Sequence, residues 1–132
     1  MKVSDLEGPL LDYWVARAEG HELRPDEFMQ EDGLVYATPV DQPTSRRYCP
    51  SRNWAHGGQI IEREGIAVWR GNVFYSRPDH GWYALHPSAR GGYSGDCHYI
   101  DVRQDDCMFG TTPLIAAMRA LVASKFGEEV PE

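Results

Sequence analysis

The chain has 132 residues, 42% apolar and 25% charged. That is enough for one compact domain, read here as residues 1–132, burying roughly two thirds of its unfolded surface without disulfide or metal staples. No apolar run approaches the roughly 20 residues that span a bilayer, which excludes a transmembrane helix, and a net charge of −7 argues against non-specific nucleic-acid binding, which needs a basic surface.

In chain order, "SDLEGPLLDYWVARAEG" places Leu10 or Leu11, Trp14 and Ala18 on one helical face. Pro9 suits a first turn and Gly20 a left-handed stop, so a helix is expected from about residue 8 to 19 with Asp12, Arg17 and Glu19 on its solvated side. A β-favouring run follows in "LVYATP" (34–39). In "SRNWAHGGQIIEREG" (51–65), Asn53 or Ser51 can accept hydrogen bonds from the amides that follow, which predicts a tight turn. After Gly58 a short helical turn, "QIIERE", would end at Gly65. Trp54, Ile60 and Ile61 are then core anchors, and Glu62, Arg63 and Glu64 are solvated.

Four further β-favouring runs are "IAVWR" (66–70), "NVFYS" (72–76), "GWYALH" (81–86) and "CHYIDVR" (97–103), separated by Gly, Pro, Asn and Asp. Gly71-Asn72 and "RPDHG" (77–81) are candidate hairpin turns, and 88–96 reads as a loop. The last element, "TTPLIAAMRALVASKFG", has Thr112 as N-cap, Pro113 at the first helical position and Gly127 at the stop. Leu114, Ile115, Met118, Leu121, Val122 and Phe126 face inward, with Arg119 beside the apolar stripe. Helices at the ends and strands between them predict an α+β fold, a small antiparallel meander packed by N-terminal and C-terminal helices.

Three cysteines, Cys49, Cys97 and Cys107, have no zinc-type or redox-type spacing and read as free thiols. No metal and no cofactor is therefore assigned. The opening "MKVSDLEGPLL" lacks the charged and apolar regions of a secretory signal, so a cytoplasmic location is expected. Charge is unevenly spread. Through residue 36, three basic residues stand against nine acidic ones, a net of −6; from Arg46 to Arg90, seven arginines stand against three acidic residues, a net of +4. Such polarity could steer an anionic partner to the middle segment.

Two further readings concern chemistry. His56, His80, His86 and His98 are possible general bases and the cysteines possible nucleophiles, but no motif orders them, so no catalytic residue is assigned. Arg52, Asn53, Trp54, His56, Gly57 and Gly58 form the candidate ligand site: Gly57-Gly58 and the first amides of the turn could make an anion-binding nest, with Arg46 and Arg47 nearby. Neither the phosphate-loop pattern nor the dinucleotide fingerprint is present. Arginine forks clamp phosphates and aromatic faces stack bases, so a nucleotide or single-stranded nucleic acid is the ligand this composition suits.

Three blocks, "LDYWVARAEG", "YCPSRNWAHGGQIIERE" and "TPLIAAMRALVASKFGEEV", resemble the small phage and prophage proteins of the NinX type in the same order. Where a proline is expected after the glycines, this chain has Gln59. The resemblance brings no catalytic residues with it and implies a bacteriophage or prophage protein in the host cytoplasm. The leading reading is a non-enzymatic binding or interaction module whose partner is a host or phage protein or a small ligand, with self-association plausible and no membrane. A nucleotide-binding or single-strand-binding module ranks second, and a small hydrolase-like enzyme third.

Overall fold

A computed structural model describes residues 1–21, 36–37, 46–71, 81–88 and 107–131. A single 3-10 turn, Val3–Asp5, leads into helix α1, Gly8–Ala18, followed by the short strands β1, Tyr36–Ala37, and β2, Arg46–Arg47. Helix α2 spans Trp54–Glu64, strands β3, β4 and β5 span Ala67–Arg70, Trp82–Leu85 and Met108–Gly110, and helix α3 spans Pro113–Phe126. The fold is α+β, as the pattern of elements predicts. β1 pairs with β2, while β3, β4 and β5 form an antiparallel sheet in that order, with Trp69 opposite Tyr83 and Tyr83 opposite Phe109.

The helix ends follow from local chemistry. Pro9 sits in the first turn of α1, and Gly20, at φ +75°, ends it. The Gly20 amide donates to Arg17 O and the His21 amide to Ala16 O, the paired bonds that satisfy a helix's last carbonyls. Thr112 Oγ1 accepts from the Ile115 amide at 3.1 Å to start α3.

α3 is the centre of the molecule. Eight consecutive or near-consecutive residues, Leu114 and Ala116 to Val122, are buried, because α1, α2, the N-terminal turn and the sheet all pack on it. Its run of alanines allows that close approach on several sides. The sheet shows the period of two that strands impose. Val68, Trp82, Ala84 and Met108 join the core around α3, whereas Ala67, Trp69, Tyr83, Leu85 and Phe109 gather with Cys107 in a second apolar cluster. Among the described residues no helix is long and apolar enough to cross a membrane.

Several expectations are corrected. The middle segment forms a full helix of 11 residues beginning at Trp54, not a turn that becomes helical after Gly58. Two adjacent glycines weaken a helix by about 1 kcal/mol each, but the Asn53 cap, the left-handed Gly65 stop and packing on α3 outweigh that. Trp54 is 56% exposed and anchors nothing. Phe126, the last residue of α3, is 40% exposed, though its ring meets Trp14 edge-on at 5.4 Å. Asp12 is not on the solvated side of α1 but fully buried. Arg119 is buried as well, and Glu64 is engaged by Arg63 and His86. β2 and β5 form where the sequence shows no β-favouring run. The runs at 72–76 and 97–103, the Gly71-Asn72 turn and most of 77–81 and 88–96 lie outside the described residues.

Candidate functional site

The segment between β2 and α2 turns sharply. Arg52 and Asn53 both donate their amides to Cys49 O, at 3.1 and 2.9 Å, and Asn53 Oδ1 accepts from the Ala55 amide at 2.8 Å. This turn and the first residues of α2 bound an open cleft of ≈ 560 Å³ lined by Arg47, Cys49, Arg52, Asn53, Trp54 and His56. Four of the six sequence-derived candidates thus share one concavity.

Gly57 and Gly58 lie further along α2 and are not in the lining. The His56 and Gly57 amides donate to Asn53 O at 3.1 and 2.9 Å, so no glycine nest is open to an anion. Gly57 instead lets α2 approach its neighbours: a Cβ there would run into Pro50 O and the Leu114 side chain. The cleft is therefore bounded by side chains rather than by open glycine amides.

Those side chains are held from below. Asp12 of α1 reaches under the turn, its Oδ1 accepting from the Ser51 amide at 2.8 Å and its Oδ2 lying 3.6 Å from Arg52 Nη2. Arg63 of α2 pairs with Glu19 at 2.5 Å, so the acidic first helix and the basic middle of the chain meet, and part of the charge asymmetry is internal. Arg47 makes no ion pair among the described residues. His56 Nδ1 accepts from the Cys49 amide at 3.3 Å and lies 3.9 Å from Cys49 Sγ. With Nδ1 acting as acceptor, the neutral ring carries its proton on Nε2 as a donor. Tyr48 stacks on His56 with ring centroids 5.9 Å apart, and His21 meets Tyr48 edge-on. Burial, reinforced by Glu19 and Asp12, pushes the Tyr48 phenol above its ordinary range, so Tyr48 stays neutral.

Burial also raises the Asp12 carboxyl above its ordinary value of 3.8, against the opposing pull of Ser51 and Arg52. A carboxyl raised in the folded state favours the protonated form there, so its contribution to stability is complete below 3.8 and is lost as pH rises through the higher folded value. Asp12→Asn keeps an oxygen for the Ser51 amide and removes the buried charge, and the Arg52 attraction it forfeits is weakened by solvent. We expect urea unfolding to find this variant at least as stable as the parent near neutral pH, with any advantage vanishing below 3.8. A variant markedly less stable at neutral pH would show that the Arg52 pair outweighs desolvation.

The lining is completed by Arg47, which the sequence places beside the candidate site, and by Cys49, which it does not. Their signal is position, six and four residues ahead of the Asn53 cap of α2, which becomes useful only once β2 is known to end at Arg47. No metal-ligand cluster exists among the described residues.

A search of curated proteins found no match to this chain. A family model described as "Bacteriophage P22, NinX" matches residues 2–125, a span that includes α1, the whole cleft and nearly all of α3. The chain therefore belongs to the NinX family of bacteriophage proteins.

Proposed function

We propose that this phage accessory protein is a binding module and that its cleft takes a nucleotide, either free or at the end of a short single strand. The observation that carries this reading is the convergence of Arg47, Arg52 and His56 with the 56% exposed Trp54 in one open concavity. Guanidinium groups offer forked donors that match phosphate geometry, and an exposed indole offers a face on which a base can stack, an interaction worth about 1–3 kcal/mol. Asp12 and the Cys49–Asn53 turn hold this array before a ligand arrives, which lowers the ordering cost of binding.

Titration of intrinsic tryptophan fluorescence with nucleoside mono- and triphosphates and short single strands, at low and high salt, tests the reading. Saturable quenching that weakens with salt and disappears in Trp54→Leu and Arg52→Ala is expected. Unchanged fluorescence at low salt, or quenching that persists in both variants, would remove the cleft as a nucleotide site. The comparison of nucleotides with single strands separates the free ligand from the polymer.

A further inference from the structure

A second cluster of reactive side chains lies away from the cleft, at the far end of α2, and the binding reading uses none of it. His86, immediately after β4, stands between Glu64 of α2 and Ser88. Its Nδ1 is 2.8 Å from Ser88 Oγ and its Nε2 is 3.1 Å from Glu64 Oε1. The Ser88 amide donates to the same Nδ1 at 3.1 Å. That bond fixes the tautomer: Nδ1 carries the lone pair, Nε2 carries the proton, and the proton is donated to Glu64. Glu64 is held in its charged form, since the hydrogen bond from His86, with help from Arg63, lowers its carboxyl below the usual range despite partial burial. The Ser88 residue is exposed and the His86 side chain is only 15% exposed. A serine hydroxyl, an imidazole acceptor and a carboxylate on the ring's other nitrogen are thus connected in the order that nucleophilic catalysis requires. The ring nitrogens are exchanged relative to the serine-protease arrangement, which leaves the roles unchanged.

We propose that Ser88, His86 and Glu64 form a nucleophilic triad that transfers the acyl group of a small activated ester to Ser88 and then to water. As Ser88 Oγ bonds to the ester carbonyl carbon, its proton passes to His86 Nδ1, which gives up the hydrogen bond from the Ser88 amide while it is protonated. The adduct collapses, the bond to the leaving oxygen breaks, and that oxygen takes the proton from Nδ1 and departs as an alcohol. Water then attacks the acyl-serine with the same proton relay, releasing a carboxylic acid and restoring Ser88. Glu64 does not exchange a proton; it orients the ring and stabilises the imidazolium that forms. Activated esters are the substrate class because a good leaving oxygen lowers the demand for donors on the carbonyl oxygen. The surface position of Ser88 imposes no chain-length selection.

The test is covalent labelling of the full chain with an alkyl fluorophosphonate, with adducts mapped by mass spectrometry and each variant's melting temperature measured alongside. One adduct, on Ser88, is expected, and Ser88→Ala should abolish it. His86→Asn is the decisive variant: Asn Oδ1 takes the place of Nδ1 and can still accept the Ser88 amide, so the turn survives while the base is lost. Labelling should slow about 10²-fold in that variant, and about tenfold or more in Glu64→Gln. Ser88 left unlabelled, or His86→Asn labelled at the parent rate, overturns the proposal and leaves His86 as a turn cap only.

Discussion

Replacing Arg119 with alanine is expected to destabilise the protein by about 3 kcal/mol and to lower its melting temperature by about 10 °C. Arg119 lies in the middle of α3 with 8% of its surface exposed. Its Nε donates to Leu6 O and its Nη1 to Phe109 O, both at 2.8 Å. The guanidinium therefore ties the N-terminal turn and β5 to the central helix through two backbone carbonyls. Truncation removes both of these hydrogen bonds and leaves a void where the stem packed. Relief of the desolvation that lowers this guanidinium's pKa offsets part of the loss, but arginine stays charged in either case. Arg119→Met separates the contributions. It fills most of the volume and removes the charge, so it should recover roughly half of the lost stability. Calorimetry on both variants checks this, and an Arg119→Ala protein melting within 2 to 3 °C of the parent, by the same rough scale, would mean that water replaces the guanidinium at little cost.

Arg119 also shows where sequence reading stops. The caps of α3, Thr112, Pro113 and Gly127, were legible because they are local chemistry, and so were Pro9 and Gly20 around α1. Burial of a charged residue depends on what other elements bring to it. Leu6 and Phe109 are 113 and 10 residues away from Arg119, and nothing at position 119 announces their carbonyls. Asp12 is the same case: helical periodicity put it on the outer face, and only the Ser51 amide, 39 residues on, gives it reason to be buried.

The candidate site was legible by composition and only partly by geometry. Arg52, Asn53, Trp54 and His56 line the cleft because they sit next to one another around a helix cap, a local arrangement. Trp54 has the composition of a core residue, since large aromatics are usually buried; as the first residue of α2 it stands on the cleft rim instead. Strands β2 and β5, of two and three residues, are too short to show alternation. The Glu64, His86 and Ser88 cluster was invisible because its carboxylate comes from 22 residues upstream of the imidazole, on a different element.

The paired glycines that first suggested a site give the second large expected effect. Helix propensity alone predicts that alanine at either position stabilises α2, by up to about 1 kcal/mol. Packing separates them. At Gly58 a Cβ would make only an ordinary contact, 3.6 Å from Trp54 Cε3, so Gly58→Ala should realise most of that gain. At Gly57 the Cβ would collide with Pro50 O and, at 2.7 Å, with Leu114 Cδ2. Leu114 can turn a little. The Pro50 carbonyl cannot move alone, because the Cys49–Asn53 turn is held by two hydrogen bonds from the Arg52 and Asn53 amides to Cys49 O and by one from the Ser51 amide to buried Asp12. Either the whole turn shifts or α2 tilts off α3. We expect Gly57→Ala to cost about 2 kcal/mol net, since overpacking of this kind outweighs the propensity gain. Because the displaced turn carries Cys49 and Arg52 into the cleft lining, ligand affinity should fall with stability in Gly57→Ala and be retained in Gly58→Ala. Chemical denaturation and the fluorescence titration on the two variants read both effects. Equal stability of the two would show that the turn yields freely, and would remove the argument that Asp12 and this turn hold the cleft residues in place before ligand binds.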